Sequence, residues 1–357
     1  MYFGSDNQTG ASDQVFKTLQ QANTGVTGAY GDDEWTQQAT QMIQELFECD
    51  ADVFFVSTGT AANSLALACM GEPWDNILCH GQAHIINDEL TAPEFFTQGA
   101  RLVGLDTQSG KLRASVLADY LSHGAAHPPH NPEPTVLSLT QANESGQVYS
   151  IDEVTELASI AKNHGLSVHM DGARFSNAVA ALQCSPAEIT WKAGVDVLCL
   201  GATKNGALSA EAVVFFNKSL SKRFVQHRKR SGHLISKSRW LGAQFYGWLQ
   251  DNHWLSLARH ANDMAKRLNE GLSDNEQTHV IWPVVANELF IVMSKKKITE
   301  LRNQGAVFYE WPRTFVPEDL KVEAHEDVVR LVTSFRTSLD EVNLFLSALK
   351  ADSKKPA

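Results

Sequence analysis

Seven short apolar, β-branched runs spaced by helical patterns limit this chain to few architectures. They cover residues 53–56, 77–79, 101–105, 135–139, 166–170, 195–200 and 212–216. Most are continuously apolar rather than alternating. A strand apolar on both faces has to be covered on both faces, as in a largely parallel sheet. The helix between the fourth and fifth runs is the most legible. Ser150 caps it, and Glu153 three residues on completes a capping box. Ile151, Val154, Leu157, Ala158 and Ala161 recur at helical spacing, and Gly165 closes the pattern. Strand, capped helix, strand is a βαβ unit, so the class is α/β: a mostly parallel central sheet with helices on both faces.

The chain has 357 residues, more than one ordinary domain. After Phe216 the character changes. Residues 218–239 are rich in Lys and Arg, which suits either a solvated helix face or a phosphate or subunit contact. Residues 240–272 carry a long helical pattern, 281–293 and 328–335 read as strands, and 339–349 as a final helix. The expected division is an N-terminal segment with a large α/β domain over 1–250, and a small α+β domain over 251–357.

The formal net charge of −11 argues against a nucleic-acid partner, because phosphate backbones select for Lys and Arg. A local pocket can still be positive and take a small anion. Five cysteines are scattered without a CxxC pair, which suits reduced core residues of a cytoplasmic protein. No metal site is expected. The N-terminus has no basic region and no apolar core, so it does not read as a signal peptide. No apolar run approaches the ~18 residues that span a membrane. The stretch around His127 reads as a Pro-rich loop, and the polar tail 351–357 as disordered.

Three segments sit where open α/β sheets place their ligands, at the carboxyl ends of strands. Gly59-Thr60-Ala61-Ala62-Asn63 follows the first strand and opens an apolar helix expected over 63–70. Free backbone N–H groups and a Thr hydroxyl there suit an anion, although Gly-Thr is also an ordinary cap. In His169-Met170-Asp171-Gly172-Ala173-Arg174, Asp171 ends a strand. A buried Asp needs a partner: Arg174, or the protonated ring nitrogen of a pyridinium cofactor. In Gly201-Ala202-Thr203-Lys204-Asn205-Gly206, Lys204 follows the next strand end, 33 residues on from Asp171. A lysine there can carry an aldehyde while the Asp keeps a pyridine nitrogen protonated. His84, in Gly81-Gln82-Ala83-His84, is a structural histidine or a group that stacks on such a ring and handles protons.

These segments, with Ser5-Asp6-Asn7 and Tyr30-Gly31-Asp32-Asp33, resemble the low-specificity L-threonine aldolases of fold type I, PLP-dependent transferase-like enzymes using pyridoxal 5′-phosphate. The likeness runs through almost the whole chain. It is nearest to a bacterial branch reading Thr-Lys-Asn-Gly at the lysine. The resemblance implies that Lys204 carries the cofactor, Asp171 pairs with its ring nitrogen and His84 stacks on the ring. Gly59, Thr60 and Thr203 would hold the phosphate. Ser5, Arg174 and Arg330 would bind the substrate carboxylate, a task that suits planar guanidinium forks. Tyr30 and Lys237 would reach a cofactor in a neighbouring subunit of a homotetramer. One departure stands out. Many relatives place a histidine after the fourth strand, where this chain has Glu144. His84, Glu144 or a water is then left to accept the substrate's β-hydroxyl proton.

The implied activity is cleavage of L-threonine, L-allo-threonine and similar β-hydroxy-α-amino acids into glycine and an aldehyde. The alternatives are a phenylserine aldolase, a β-eliminating lyase, a hydroxymethyltransferase, or a catalytically silent protein that binds the same cofactor. Intact Lys204, Asp171 and Arg330 speak against silence.

Overall fold

The computed structural model describes residues 1–106, 109–123, 129–273, 278–317 and 319–351. The loop at His127 and the tail beyond Ala351 lie outside them. A seven-stranded sheet forms from β1 (Asp52–Val56), β2 (Asn76–His80), β3 (Arg101–Leu105), β4 (Pro134–Thr140), β5 (Ser167–Gly172), β6 (Val197–Gly201) and β7 (Glu211–Phe215), in the order β1-β7-β6-β5-β4-β2-β3. Only β7 runs against its neighbours. It follows β6 through a short connection, which permits an antiparallel return. The reversal matters for function, because the first residue of β7 then lies at the carboxyl ends of the others. Glu211 pairs with both Val56 and Gly201, while Thr140 pairs with Asp171. Ends of five strands thus line up along one edge.

The continuous apolar runs are buried on both faces, as their composition requires. One layer packs Leu137, Leu139, Val168, Met170, Leu198 and Leu200 with Phe245, Trp248 and Trp254; the other packs Ile77, Cys79, Val136, Val197 and Val213 with the helix Gly59–Leu67. Fully burying one such aliphatic or aromatic side chain contributes about 1.5–3 kcal/mol. The helix Ile151–Asn163 carries the expected capping box, and Gly165 follows with φ +80°. Ser150→Ala is expected to cost about 1 kcal/mol, read as a lower urea midpoint with unchanged slope.

Four expectations shift. The helix after β1 starts at Gly59 rather than Asn63, because Thr58 caps it by accepting from the Ala61 N–H at 3.2 Å. The stretch 240–272 divides into Arg239–Leu249 and His253–Ser273, with Asp251 and Asn252 both at φ 55° between them. Asp and Asn tolerate this left-handed region better than most residues. Of the strand expected over 281–293 only the second half forms, as β9 (Glu288–Ser294); β8 (Thr278–Val280) ends before it, and the segment between holds Pro283, which has no N–H for a ladder. The strand expected over 328–335 starts and ends earlier, as β11 (Glu326–Val332), with β10 (Tyr309–Trp311) beside it.

These last four strands form a second, antiparallel sheet in the order β10-β11-β9-β8, covered by the helices His253–Ser273, Lys295–Asn303 and Leu339–Lys350. Phe3 is buried in the same cluster, with its ring centroid 5.2 Å from that of Phe345. Its N–H donates to Val307 and its carbonyl accepts from Val332. No helix among the described residues is long and apolar enough to cross a membrane.

Candidate active site

A cavity of about 380 Å³ opens at the carboxyl edge of the large sheet. Asp171, at the end of β5, is buried on its wall. Its Oδ2 accepts from Asn63 Nδ2 at 2.8 Å and its Oδ1 from the Ala173 N–H at 3.0 Å. No Lys, Arg or His among the described residues forms an ion pair with it. Arg174 turns away instead. It forks onto Asp6 at 2.7 and 3.0 Å and reaches Glu288 at 3.1 Å. The internal pairing of Asp171 with Arg174, one of the two options the sequence allows, is therefore not the one adopted.

Lys204 sits on a short turn, Thr203–Asn205, directly after β6. The turn is pinned from behind: Asn205 Nδ2 donates to the Trp254 carbonyl and Trp248 Nε1 to the Asn205 carbonyl, both at 2.8 Å. Gly201 lets the chain pass closely, since a Cβ there would stand 2.8 Å from Ala173 Cα. Lys204 lines the cavity and has no ion pair or hydrogen bond among the described residues.

The helix Gly59–Leu67 points its start at the same cavity, with Gly59 and Thr60 in its first turn, where N–H groups lack helical partners. A Cβ on Gly59 would meet nothing within 4 Å, so this glycine is not a steric cradle. Thr203, Ser57 and Ser209 add hydroxyls to the lining. Thr203 donates to Glu211, a buried carboxyl that desolvation pushes up to about 7, against the lowering influence of that bond and of Lys204.

The opposite wall carries proton-holding groups. The His84 N–H donates to Glu144 Oε1 at 2.7 Å. Desolvation, with the nearby Asp171 charge, pushes Glu144 up to about 7. His84 Nδ1 lies 2.8 Å from Glu89 Oε1, and that oxygen also accepts from Asn63 Nδ2 at 2.9 Å. Burial opposes a charge on His84, but the Glu89 bond and the Asp171 and Glu89 charges outweigh it, so its pKa rises.

Lys204, Asp171, His84, Glu144, Gly59, Thr60, Thr203 and Arg174 thus line one cavity. Ser5 and Arg330 are not among its lining residues. Arg330, on β11, donates to the Gly4 carbonyl at 3.3 Å, lies 3.7 Å from Glu288 and stacks 4.3 Å from the Trp311 ring centroid. Ser5 caps the short turn that carries Asp6 and Asn7. Tyr30 lies in a separate depression with Arg228 and Leu234, and Lys237 is exposed nearby in sequence. Sequence reasoning missed Asn7, Asn63, Glu89 and Glu211. Among the described residues no group of His, Cys, Asp and Glu is arranged to hold a metal ion.

Residues 3–296 match the family model described as beta-eliminating lyase. A low-specificity L-threonine aldolase of Pseudomonas aeruginosa is 45% identical over 316 residues, covering 88% of this chain and 90% of its own. One from another Pseudomonas strain is 44% identical over 308 residues, covering 86% and 88%. A solved structure of Leishmania major threonine aldolase superposes with a TM-score of 0.90 at 29% identity, covering 98% of both chains. Serine palmitoyltransferase of Sphingomonas wittichii shares the fold, at a TM-score of 0.69 and 15% identity. The strand order, the site edge and these relatives agree: the chain has the fold of type I pyridoxal-phosphate enzymes and belongs to the beta-eliminating lyase family, in its low-specificity L-threonine aldolase branch.

Proposed function

We propose that this protein cleaves L-threonine, L-allo-threonine and related β-hydroxy-α-amino acids to glycine and an aldehyde, with pyridoxal 5′-phosphate as cofactor. One observation carries the reading: a buried carboxylate, Asp171, faces the same cavity as Lys204, and among the described residues neither has an ion-pair partner. An uncompensated buried carboxylate is costly, and a protonated ring nitrogen removes that cost. The donor set fits the cofactor elsewhere too. Helix N–H groups at Gly59 and Thr60 suit its phosphate, and the Thr203 hydroxyl can join them by turning its proton from Glu211 to the phosphate. Lys204 suits its aldehyde. When bound, the cofactor withdraws the electrons left on Cα as the Cα–Cβ bond breaks.

The chain's own residues do the rest. Arg174 is held rigid by Asp6 and Glu288, and Arg330 keeps a buried Nε without a hydrogen-bond partner among the described residues. Two fixed guanidinium groups beside Ser5 suit a substrate carboxylate and set which bond at Cα breaks. Glu144 receives the β-hydroxyl proton. A base with a pKa near the working pH combines the right protonation state with driving force. Protonated Glu144 cannot accept, so kcat/KM should rise with pH through about 7. Glu144→Gln should lose roughly 10²-fold or more in kcat and abolish that limb; a profile unchanged in shape would exclude Glu144 as the acceptor.

The direct test is release of acetaldehyde from L-threonine by cofactor-loaded protein, followed with an NADH-linked assay. Equal glycine is the expected companion. Pyruvate and ammonia in their place would convert the reading to β-elimination.

The same proposal takes the chain as a homotetramer in the cytoplasm, with Tyr30 and Lys237 presented to a neighbouring subunit's cavity. Neither lines this chain's own cavity, which supports that role, and five thiols without a disulfide suit a reducing compartment. The division into domains at 250/251 is also part of it, supported by the left-handed turn at Asp251 and Asn252.

A further inference from the structure

Glu89 is wholly buried at its side chain, yet nothing in its local sequence marks it. It follows the short helical turn His84–Asn87, and Leu90 and Thr91 after it are both left-handed, at φ 47° and 58°. The carboxylate is turned inward, onto two groups of the cavity wall. Asn63 Nδ2 donates to Glu89 Oε1 and to Asp171 Oδ2, so one amide nitrogen serves two carboxylates. Those two acceptors fix the orientation of the amide, since its oxygen would be repelled by both. Glu89 Oε1 is then an acceptor from Asn63, and His84 Nδ1 is 2.8 Å from the same oxygen. A carboxylate oxygen that accepts twice requires the proton to sit on His84 Nδ1.

The geometry points to Glu89 as a positioning residue that holds the His84 ring in the Nδ1–H tautomer and leaves Nε2 as the atom that accepts a proton. This rests on the aldolase reading for its role in turnover, but not for the tautomer itself. His84 Nε2 has no hydrogen-bond partner among the described residues, and 41% of the side chain is exposed toward the cavity. A ring fixed in this way can take up the proton that Glu144 collects from the β-hydroxyl and deliver it to Cα, with Glu89 stabilising the charged form between. The charged groups around the ring are Glu89 on its own segment, Asp171 after β5, Glu144 after β4 and Lys204 after β6. Glu89 and Asp171 raise the His84 pKa against burial and Lys204. Asn63 also links Glu89 to Asp171, so a neutral group at position 89 would be felt at both ends of the cavity.

Two measurements on the full-length holoenzyme test this. With labelled histidine, and His84→Asn to assign the resonance, nitrogen NMR at neutral pH should place the His84 proton on Nδ1. Glu89→Gln keeps an acceptor for Asn63 and so should fold, but it should lower the His84 pKa and lose the tautomer preference. In turnover, Glu89→Gln should reduce kcat roughly tenfold to a hundredfold with KM changed by less than about threefold. Glu89→Gln combined with His84→Asn should be no slower than His84→Asn alone, since one residue acts through the other. A His84 proton on Nε2 in the wild type would overturn the tautomer assignment whatever the enzyme's reaction. Losses that multiply in the double variant would make Glu89 a purely structural carboxylate. Absence of acetaldehyde from the wild type would instead count against the aldolase reading, and the resonance would still decide the pair.

Discussion

Lys204→Ala is expected to abolish covalent attachment of the cofactor and to reduce threonine cleavage by roughly 10³-fold or more, the scale of losing a group that carries a covalent step. Borohydride treatment should fix pyridoxal phosphate to the wild-type chain, seen as a mass increase, and leave the variant unmodified. The variant should fold normally. Lys204 makes no ion pair or hydrogen bond among the described residues, while its turn is held by Asn205, Trp248 and Trp254. Because the stability cost is small, the loss of turnover reports chemistry rather than unfolding. A variant that kept wild-type activity and was labelled by borohydride would remove Lys204 from the mechanism.

Asp171→Asn is expected to weaken cofactor retention and to lower kcat by roughly 10²–10³-fold, the scale of removing one preorganised electrostatic group from developing charge. An amide can accept a hydrogen bond from a ring nitrogen but offers no negative charge to keep it protonated. The amide is also nearly isosteric, so the Ala173 contact can persist. The measurement is dialysis of the holoenzyme followed by the visible absorbance of the retained cofactor, with steady-state kinetics at saturating pyridoxal phosphate. Retention and turnover equal to the wild type would mean that the carboxylate has another role.

Much of this was legible in the sequence because the informative features are local. All seven strands of the large sheet lie where continuous apolar runs placed them, since burial on both faces leaves no polar alternation to confuse the reading. Asp171 and Lys204 were visible because each follows such a run within four residues. What was hidden depends on long-range pairing. The sequence offered Arg174 as a partner for Asp171, three residues away; Arg174 in fact pairs with Asp6, 168 residues distant. Glu211 reaches the cavity only because β7 runs backwards, and the apolar content of a strand does not reveal its direction. Asn63 lay inside a recognised motif, yet its contact is with a carboxylate from another segment. The late start of β9 within residues 281–293 is in keeping with Pro283, a residue that interrupts ladders.

Phe3 docking between Val307 and Val332 imposes an order on folding. During synthesis Phe3 leaves the ribosome some 300 residues before the strand that will cover it. Until then its ring is exposed, and the neighbouring Asp6 has no Glu288 beside it to complete the cluster around Arg174. The large sheet can form co-translationally, but the carboxylate-binding side of the cavity cannot. That side closes only after the last antiparallel strands arrive, so a ribosome-stalled fragment ending before β9 would have its lysine in place and lack the completed clasp.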